Sequence, residues 1–592
     1  MKRLLNYRQN LLKINKSSFM SGIYGAFLKS KKITEFYNKM SRGLLTDEKI
    51  LEKGTIGRSV INKLTNDRLF GTKEGITICF EGVNLSDEIK SLNDFFNEYQ
   101  KSSVEFIKNL KGSFSGFILD ENIQKVFVFN DHLSSKNIFY YYDEKFGFVF
   151  CSELKAISKL FRKHEVPFSL NRDAVYMMSL YGFLLEDNTY IKEIKKLPYS
   201  SVIYFDYKTN TMSINKHFCY QSLKKEKIKS SDAIVELNAL FEQSVIRCWN
   251  KDLKYGNRHL SLLSGGMDAR TNVLVAKKLG FKNISTITFG QSNSQDIRYS
   301  QKIAVGENLN HFTRFLDYPS YLIDDIEKNY VRPNDGLMMY HTSAHMSSTL
   351  KSFNTQPYSI LHTGQIGDVL LGSFSQEKFD FKKNKAIIGY TGNVGELELL
   401  KKIESLNSIL EKYQELGYEI YSYEQRQINA TLVGDRSLNN VIDNFSPFYD
   451  LDLINFCLSL PSDLKKNQII YYDWLKKYHR NILNYPWEKI QLKPNSRFKI
   501  IYGKYYKKYF NGAKKYFHLN YDSMNPYAVW MKKHPFILET LNRILAEEIE
   551  SPYIDSELKN DLRQIYNRDI FEYRNKFAVI TALLALKLHF RD

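Results

Sequence analysis

The sequence predicts two unlike domains in series. An α+β domain built mainly of antiparallel strands comes first, and an α/β domain with a mostly parallel sheet and a helical C-terminal part follows. Three observations predict this. Up to about residue 215, short apolar runs of strand length alternate with turns rich in Asp, Asn, Glu and Gly. From Arg258 to Leu279 a strand-like run, a Gly-Gly turn and a helix follow one another without a gap. Beyond it, the strand Ile284 to Phe289 leads into a helix from about Asp296 to Asn308, and such alternation gives parallel strands with ligands at their C-terminal ends.

Size and composition agree. A chain of 592 residues can bury more than one core, and its 43% apolar and 25% charged residues are globular values that argue against global disorder. The formal charge of +19 admits an anionic partner such as nucleic acid or lipid. Part of that excess lies at Lys499 to Lys508 and at Lys514 and Lys515, with tyrosines interleaved. This is either a backbone-and-stacking surface or a solvated lysine-rich face, and no stable nucleic-acid partner is expected. Cys79, Cys151, Cys219, Cys248 and Cys457 are scattered without zinc-ligand spacing, which suggests buried thiols in a reducing compartment. No apolar run approaches 18 residues, so no transmembrane segment and a cytoplasmic protein are expected. The C-terminal apolar run Phe577 to Leu586 is too short to span and reads as a core helix.

In chain order, residues 1–19 are a basic, polar leader. The first domain, 20–215, opens on an apolar stretch, Ile23–Leu28, and then offers strands at Ile76–Phe80, Phe114–Leu119, Val126–Phe129, Ile138–Tyr142 and Phe146–Phe150. A final hairpin is expected at Ser201–Asp206 and Thr211–Ile214. Within it, Gly112-Ser113-Phe114 to Asp120, Asp131-His132-Leu133-Ser134-Ser135-Lys136 to Tyr140, and Ser152-Glu153-Leu154-Lys155 resemble the glutaminase-type domain of asparagine synthetases. Asn130 and Ser134 replace the arginine and glycine usual in that turn. The resemblance implies an Ntn-hydrolase-like (glutaminase type 2) sandwich. It also implies a nucleophilic cysteine in Met-Cys-Gly-Ile, where this chain has Met20-Ser21-Gly22-Ile23. Ser21 is thus a degenerate nucleophile position. A serine lacks the thiolate fraction of a cysteine, and the leader precedes it, so the domain is expected to be inactive in glutamine hydrolysis.

Residues 216–230 form a Lys/Ser-rich linker, and 231–592 the second domain. Asp232 to Trp249 has helical periodicity, and Glu396 to Leu416 reads as another helix. In the turn Ser264-Gly265-Gly266-Met267-Asp268, two glycines let the backbone approach an anion while the N–H groups of the first helical turn face it. No lysine follows, so this is not a GxxxxGK[ST] loop. A second turn, Gly364-Gln365-Ile366-Gly367-Asp368, again follows an apolar strand. Asp268 and Asp368 on one sheet edge could share Mg²⁺ on a phosphate chain, although either alone reads as a turn or cap residue.

The order of motifs resembles the synthetase half of the asparagine synthetase family, which includes β-lactam synthetases and lasso-peptide cyclases. Ser264 to Asp268 matches its Ser-Gly-Gly-Xaa-Asp loop, with Ala269 in place of the next serine. Gly364 to Asp368 falls on its second loop, with Ile366 for a glycine and Val369 for a glutamate. Asp443-Asn444-Phe445-Ser446-Pro447-Phe448 resembles its Glu-Xaa-Arg-Xaa-Pro-Phe, and Lys493 stands where relatives place a loop lysine.

The resemblance implies a PP-loop ATP pyrophosphatase fold and an ATP- and Mg²⁺-dependent, AMP-forming amide ligase. A carboxylate is activated as an acyl-adenylate and then attacked by an amine, either being a small molecule or a peptide. The implied roles are pyrophosphate binding by Ser264, Gly265 and Gly266; adenine contact by Leu262, Leu263 and Phe289; Mg²⁺ binding by Asp268 and Asp368; and a further cofactor contact by Gly364. Lys493 would stabilise the adenylate or the departing AMP, and Asp443 with Tyr421 or Tyr423 would act as the base. His341, His345 and His362 lack an acidic third ligand at convincing spacing, so no zinc is expected from them. The alternatives are a glutamine-dependent asparagine synthase proper or, in another class, a non-catalytic or nucleic-acid-associated basic protein. A homodimer is left open.

Overall fold

A computed structural model describes residues 21–29, 45–220, 223, 225, 227–375, 379–384, 388–391, 397–503, 505, 523–568 and 573–591. The expected leader, Met20 and most of the Lys/Tyr-rich run after 503 lie outside these residues.

The first domain contains two six-stranded antiparallel sheets. Its strands are β1 Gly22–Leu28, β2 Leu45–Ile50, β3 Thr55–Val60, β4 Leu69–Lys73, β5 Ile76–Asn84 and β6 Gly112–Asp120. They continue as β7 Lys125–Asn130, β8 Phe139–Asp143, β9 Gly147–Cys151, β10 Lys195–Lys196, β11 Ser201–Asp206 and β12 Thr211–Lys216. One sheet has the order β10-β8-β9-β1-β3-β2 and the other β12-β11-β7-β6-β5-β4. Side-chain alternation builds the layers. Ile23 and Phe27 of β1 join Phe117, Leu119, Val126 and Phe205 in a core between the sheets. Tyr24, Ala26 and Leu28 face the other way, toward helices α2 (Leu154–His164) and α3 (Arg172–Tyr181). The outer face of the second sheet, with Phe114, Ile118 and Phe129, is covered by α1 (Leu92–Ser102) through Phe95, Phe96 and Tyr99.

The hairpin after residue 200 forms as expected, as β11 and β12. Strands β2 and β4 carry no apolar run to announce them, being exposed or half-buried along their length. They exist because β3 and β5 offer partners.

Helix α4 (Ser230–Lys254) opens the second domain. A five-stranded sheet follows: β13 Arg258–Leu262, β14 Ile284–Gly290, β15 Asn310–Phe315, β16 Tyr358–His362 and β17 Asp443–Phe445. Its order is β15-β14-β13-β16-β17 and every pairing is parallel. The chain starts at the centre with β13, builds outward to β15, then returns to β16 on the other side. The boundary between β13 and β16 is therefore the point where strand order reverses, and a crevice opens there beyond the strand ends. Helices α5 (Met267–Lys278), α6 (Gln295–Gly306), α7 (His341–Lys351) and α8 (Ile469–Tyr478) surround the sheet.

The expected helix through residue 416 is broken. Leu397–Leu400 and Leu406–Leu416 are separate, because the Asp173 carboxylate of the first domain accepts the N–H groups of Glu404 (2.8 Å) and Ser405 (2.9 Å) and so starts a new helix. The C-terminal apolar run is helix α9 (Tyr573–Leu586), buried without interruption from Asn575 to Leu586. It shares one apolar cluster with α2 and α3, so the two domains are packed as one body. No helix among the described residues is long and apolar enough to cross a membrane.

Candidate functional site

The crevice at the end of β13 holds a cavity of about 280 Å³. Leu262, Leu263, Ser264, Gly266, Asp268, Phe289 and Gly364 all line it, together with Thr288, Asp296 and Met524. The local sequence explains the turn. Gly266 is the residue before α5, extended at φ −70° and ψ 161°, and no side chain caps the helix. The Gly266 N–H points to Ser264 Oγ at 3.1 Å, and the Gly265 N–H to Asp296 Oδ1 at 3.2 Å.

Arg270 holds this loop from behind. Its guanidinium is fully buried and donates to four backbone carbonyls: Gly265 at 2.6 Å, Gly266 at 2.9 Å, Tyr485 at 3.1 Å and Pro486 at 2.6 Å. Burial lowers its pKa to about 10, which leaves it cationic at neutral pH. With the carbonyls of both glycines turned toward Arg270, the charge of the guanidinium lies just beneath the loop.

The second loop touches the first. A Cβ on Gly364 would lie 2.3 Å from the Ala269 nitrogen, and one on Gly367 would lie 2.9 Å from Asp268 Oδ1, so both approaches require glycine. Between them Ile366 adopts φ +59°, a costly conformation for a β-branched residue, while its side chain is buried. This strain stands where relatives were expected to carry a glycine.

Two carboxylates meet at this junction. Asp268 Oδ2 accepts the Asp368 N–H at 3.1 Å, and Asp268 Oδ1 accepts from the Tyr471 hydroxyl of α8 at 2.8 Å. Burial, then the charge of Asp368, push the Asp268 pKa up to about 8. Asp368 is partly exposed, accepts from Ser373 Oγ at 2.9 Å and lies 3.5 Å from Lys489 Nζ. Further in, Asp435 is buried and raised to about 7 by desolvation; it accepts from Gln365 at 2.7 Å and Tyr449 at 3.1 Å.

The other expected site residues lie elsewhere. Asp443, at the start of β17, is buried between Arg68 and Lys136 of the first domain, with Lys136 Nζ at 2.7 Å. Burial raises its pKa, but the two cations outweigh this and hold it below the ordinary carboxylate value. It is a paired anion in the domain seam, outside the cavity lining. Tyr421 is fully buried and donates to the Ile388 carbonyl at 3.2 Å. Tyr423 is fully buried, with its ring 5.6 Å from Tyr220, and neither tyrosine lines the cavity. Both phenol pKa values are pushed well above the usual value by burial, which is the wrong direction for a base. Lys493 is exposed, whereas Lys489 is the lysine that reaches Asp368. Ser21 is buried; its N–H donates to Asn440 Oδ1 at 2.9 Å and its Oγ to the Asn439 carbonyl at 3.3 Å.

His341 and His345 lie on α7, both held neutral by burial, with His345 5.1 Å from Phe289. His362 lies in a separate buried cluster with Asp252 and His259. Asp335 accepts the N–H groups of Leu154 and Lys155, each at 3.1 Å, and so caps α2 from the second domain.

Sequence reasoning missed Arg270, Asp296, Asp435, Tyr471 and Lys489. Asp296 had a signal, an acid in the first turn of a helix after a strand, but Arg270 and Tyr471 act on partners about 200 residues away.

These features define a class: a chain with a glutaminase-like first domain followed by an α/β domain with a Gly-Gly loop at its strand-order switch. Residues 94–218 match the family described as a glutamine amidotransferase domain. The chain is 22% identical over 422 residues to asparagine synthetase [glutamine-hydrolyzing] 2 of Bacillus subtilis (strain 168), covering 62% of this chain and 53% of that one. It thus spans about half the length of that curated relative, and the link to asparagine synthetases is one of family-level similarity. Among solved structures, it resembles glutamine phosphoribosylpyrophosphate (PRPP) amidotransferase from B. subtilis complexed with ADP and GMP, at TM-score 0.21 and 11% identity, over 52% of this chain and 62% of the other. It also resembles a structure described as the allosteric regulatory enzyme of purine biosynthesis, at TM-score 0.22 and 9% identity, over 52% and 76%. Likeness at that level defines no common overall arrangement.

Proposed function

We propose that the chain is an ATP-dependent, AMP-forming amide ligase whose second domain activates a carboxylate for attack by an amine. The observation that carries this reading is the meeting of the Gly-Gly loop with the Asp268–Asp368 pair at the strand-order switch. The donor set suits Mg²⁺: Asp268 and Asp368 meet at this junction, and burial, then the charge of Asp368, raise the Asp268 pKa, so that a divalent cation would favour the ionised pair. Asp268 and Asp368 would hold the ion, which supplies charge neutralisation on the phosphates when bound.

The chain's own residues do the rest. Ser264 and the loop amides, backed by Arg270, bind the leaving pyrophosphate. Leu262, Leu263 and Phe289 give an apolar wall for the base, and Met524 closes it. Tyr471 fixes the orientation of Asp268, and Lys489, in place of Lys493, is the cation beside Asp368. In this reading Asp443, Tyr421 and Tyr423 have no part in proton transfer, since the first is paired with two cations and the others are sealed from the cavity. The first domain acts as a scaffold, with Ser21 held by the Asn439–Asn440 turn, and glutamine hydrolysis is not part of the activity.

Pyrophosphate release over a panel of carboxylates and amines tests this. Turnover with at least one pair, abolished by Asp268→Ala, is the expected result. No turnover with any pair, together with no ATP binding by calorimetry, would remove the enzymatic reading.

A further inference from the structure

Below the two loops lies a second cluster, sealed from solvent. Asp252 on α4 is wholly buried, and its Oδ2 sits 2.9 Å from His259 Nδ1 on β13 and 2.7 Å from His362 Nε2 on β16. Both imidazoles are buried too, and Trp249 stacks on His362 at 4.3 Å. Among the described residues no Lys or Arg pairs with Asp252. Lys63, which its field reaches, is engaged by the carbonyls of Thr355 and Tyr358. The other carboxylate oxygen, Asp252 Oδ1, has no hydrogen-bond partner, nor has His259 Nε2.

A carboxylate in this position is expensive unless a positive charge compensates it. Two imidazole nitrogens and a carboxylate oxygen lie there within 4.8 Å of one another, three donors of the kind borderline divalent ions prefer, and the second carboxylate oxygen is unpartnered. From these observations we infer a structural site for a divalent transition-metal ion, of the zinc class, bound by Asp252, His259 and His362. Four-coordinate zinc needs donor atoms about 3.3 Å apart, so each imidazole would move out by about 0.4–0.6 Å. On binding, His259 Nδ1 and His362 Nε2 offer lone pairs, and each ring proton shifts to the other nitrogen. For His362 that nitrogen faces Cys248 Sγ at 3.9 Å. No net charge leaves the rings. The ion would staple α4 to β13 and β16, the strands that deliver Ser264 and Gly364. It is separate from the Asp268–Asp368 pair.

The test is zinc content of the untagged full-length chain, purified and dialysed without chelator, with circular dichroism to verify folding of each variant. About one zinc per chain is expected in the wild type and in Asp368→Asn, falling at least about tenfold in Asp252→Asn and His362→Gln. Should those two fail to fold, the wild type decides: stripping with a chelator lowers Tm and Zn²⁺ restores it, and Co²⁺ loading gives the intense visible bands of four-coordinate cobalt. A wild-type chain that is metal-free and retains no added Zn²⁺ through dialysis overturns the inference. So does zinc retained equally in folded Asp252→Asn and His362→Gln, or lost in Asp368→Asn alone.

Discussion

At the scale of the residue, the Gly-Gly loop depends on a side chain with no chemistry of its own to perform. Arg270 spends its donors on four carbonyls, two from the loop and two from Tyr485 and Pro486. A lysine would keep the charge but, lacking the planar fork, could serve fewer of these acceptors. Arg270→Lys is therefore expected to weaken ATP binding by about tenfold or more while the chain stays folded, and Arg270→Met to lower Tm as well, since stranded buried carbonyls cost about 1–3 kcal/mol each. Calorimetric titration with ATP and a melting curve separate the two effects; equal ATP affinity in Arg270→Lys and wild type would contradict the role. Ser264 to Asp268 was legible in the sequence because strand, turn and helix are consecutive there. Arg270 was not, because half of its partners lie 215 and 216 positions away.

At the scale of the element, β17 shows how one residue joins two domains. Asp443 opens that edge strand and takes Arg68, itself paired with Glu81, and Lys136 from the first domain. The motif around Asp443 suggested a base, because the partners that neutralise it, Arg68 and Lys136, stand more than 300 residues earlier in the chain. Asp443→Asn would strand a buried ammonium at Lys136 and is expected to cost about 3–5 kcal/mol in denaturant unfolding. Adding Lys136→Met should recover part of that loss. The sign with pH follows from the depressed pKa. The pair's contribution is present above the unfolded-state carboxylate pKa and is lost as pH falls through the lower, folded value. Wild type should thus lose more stability than Asp443→Asn on acidification, and parallel pH profiles would show that the pair adds nothing. The broken helix before Leu406 has the same origin, since Asp173 reaches in from far along the chain.

At the scale of the whole molecule, the sequence made the division into an antiparallel and a parallel part legible, because strand length and strand–helix alternation are local. It did not reveal how closely the parts are joined. Helix α9 packs in one cluster with α2 and α3 and with Tyr340 and Met339 of the second domain. The Tyr340 N–H donates to Thr581 Oγ1 at 3.1 Å, His341 stacks on Phe577 at 4.5 Å, and His589 Nε2 meets the Asp335 carbonyl at 2.9 Å. Asp335 in turn caps α2, so the end of the chain, the second domain and the first are fastened at one place. Phe577, Val579, Ile580, Leu583, Leu584 and Leu586 are all buried. At about 1.5–3 kcal/mol for each such side chain, their removal forfeits ~9–18 kcal/mol, against a net stability of ~5–15 kcal/mol for a typical domain. Deleting the chain from Tyr573 onward should therefore abolish cooperative unfolding and leave both domains open to protease, the glutaminase-like one included. If instead the truncated chain melted cooperatively with an intact protease-resistant first domain, the domains would be independent units and α9 only a cover for the second.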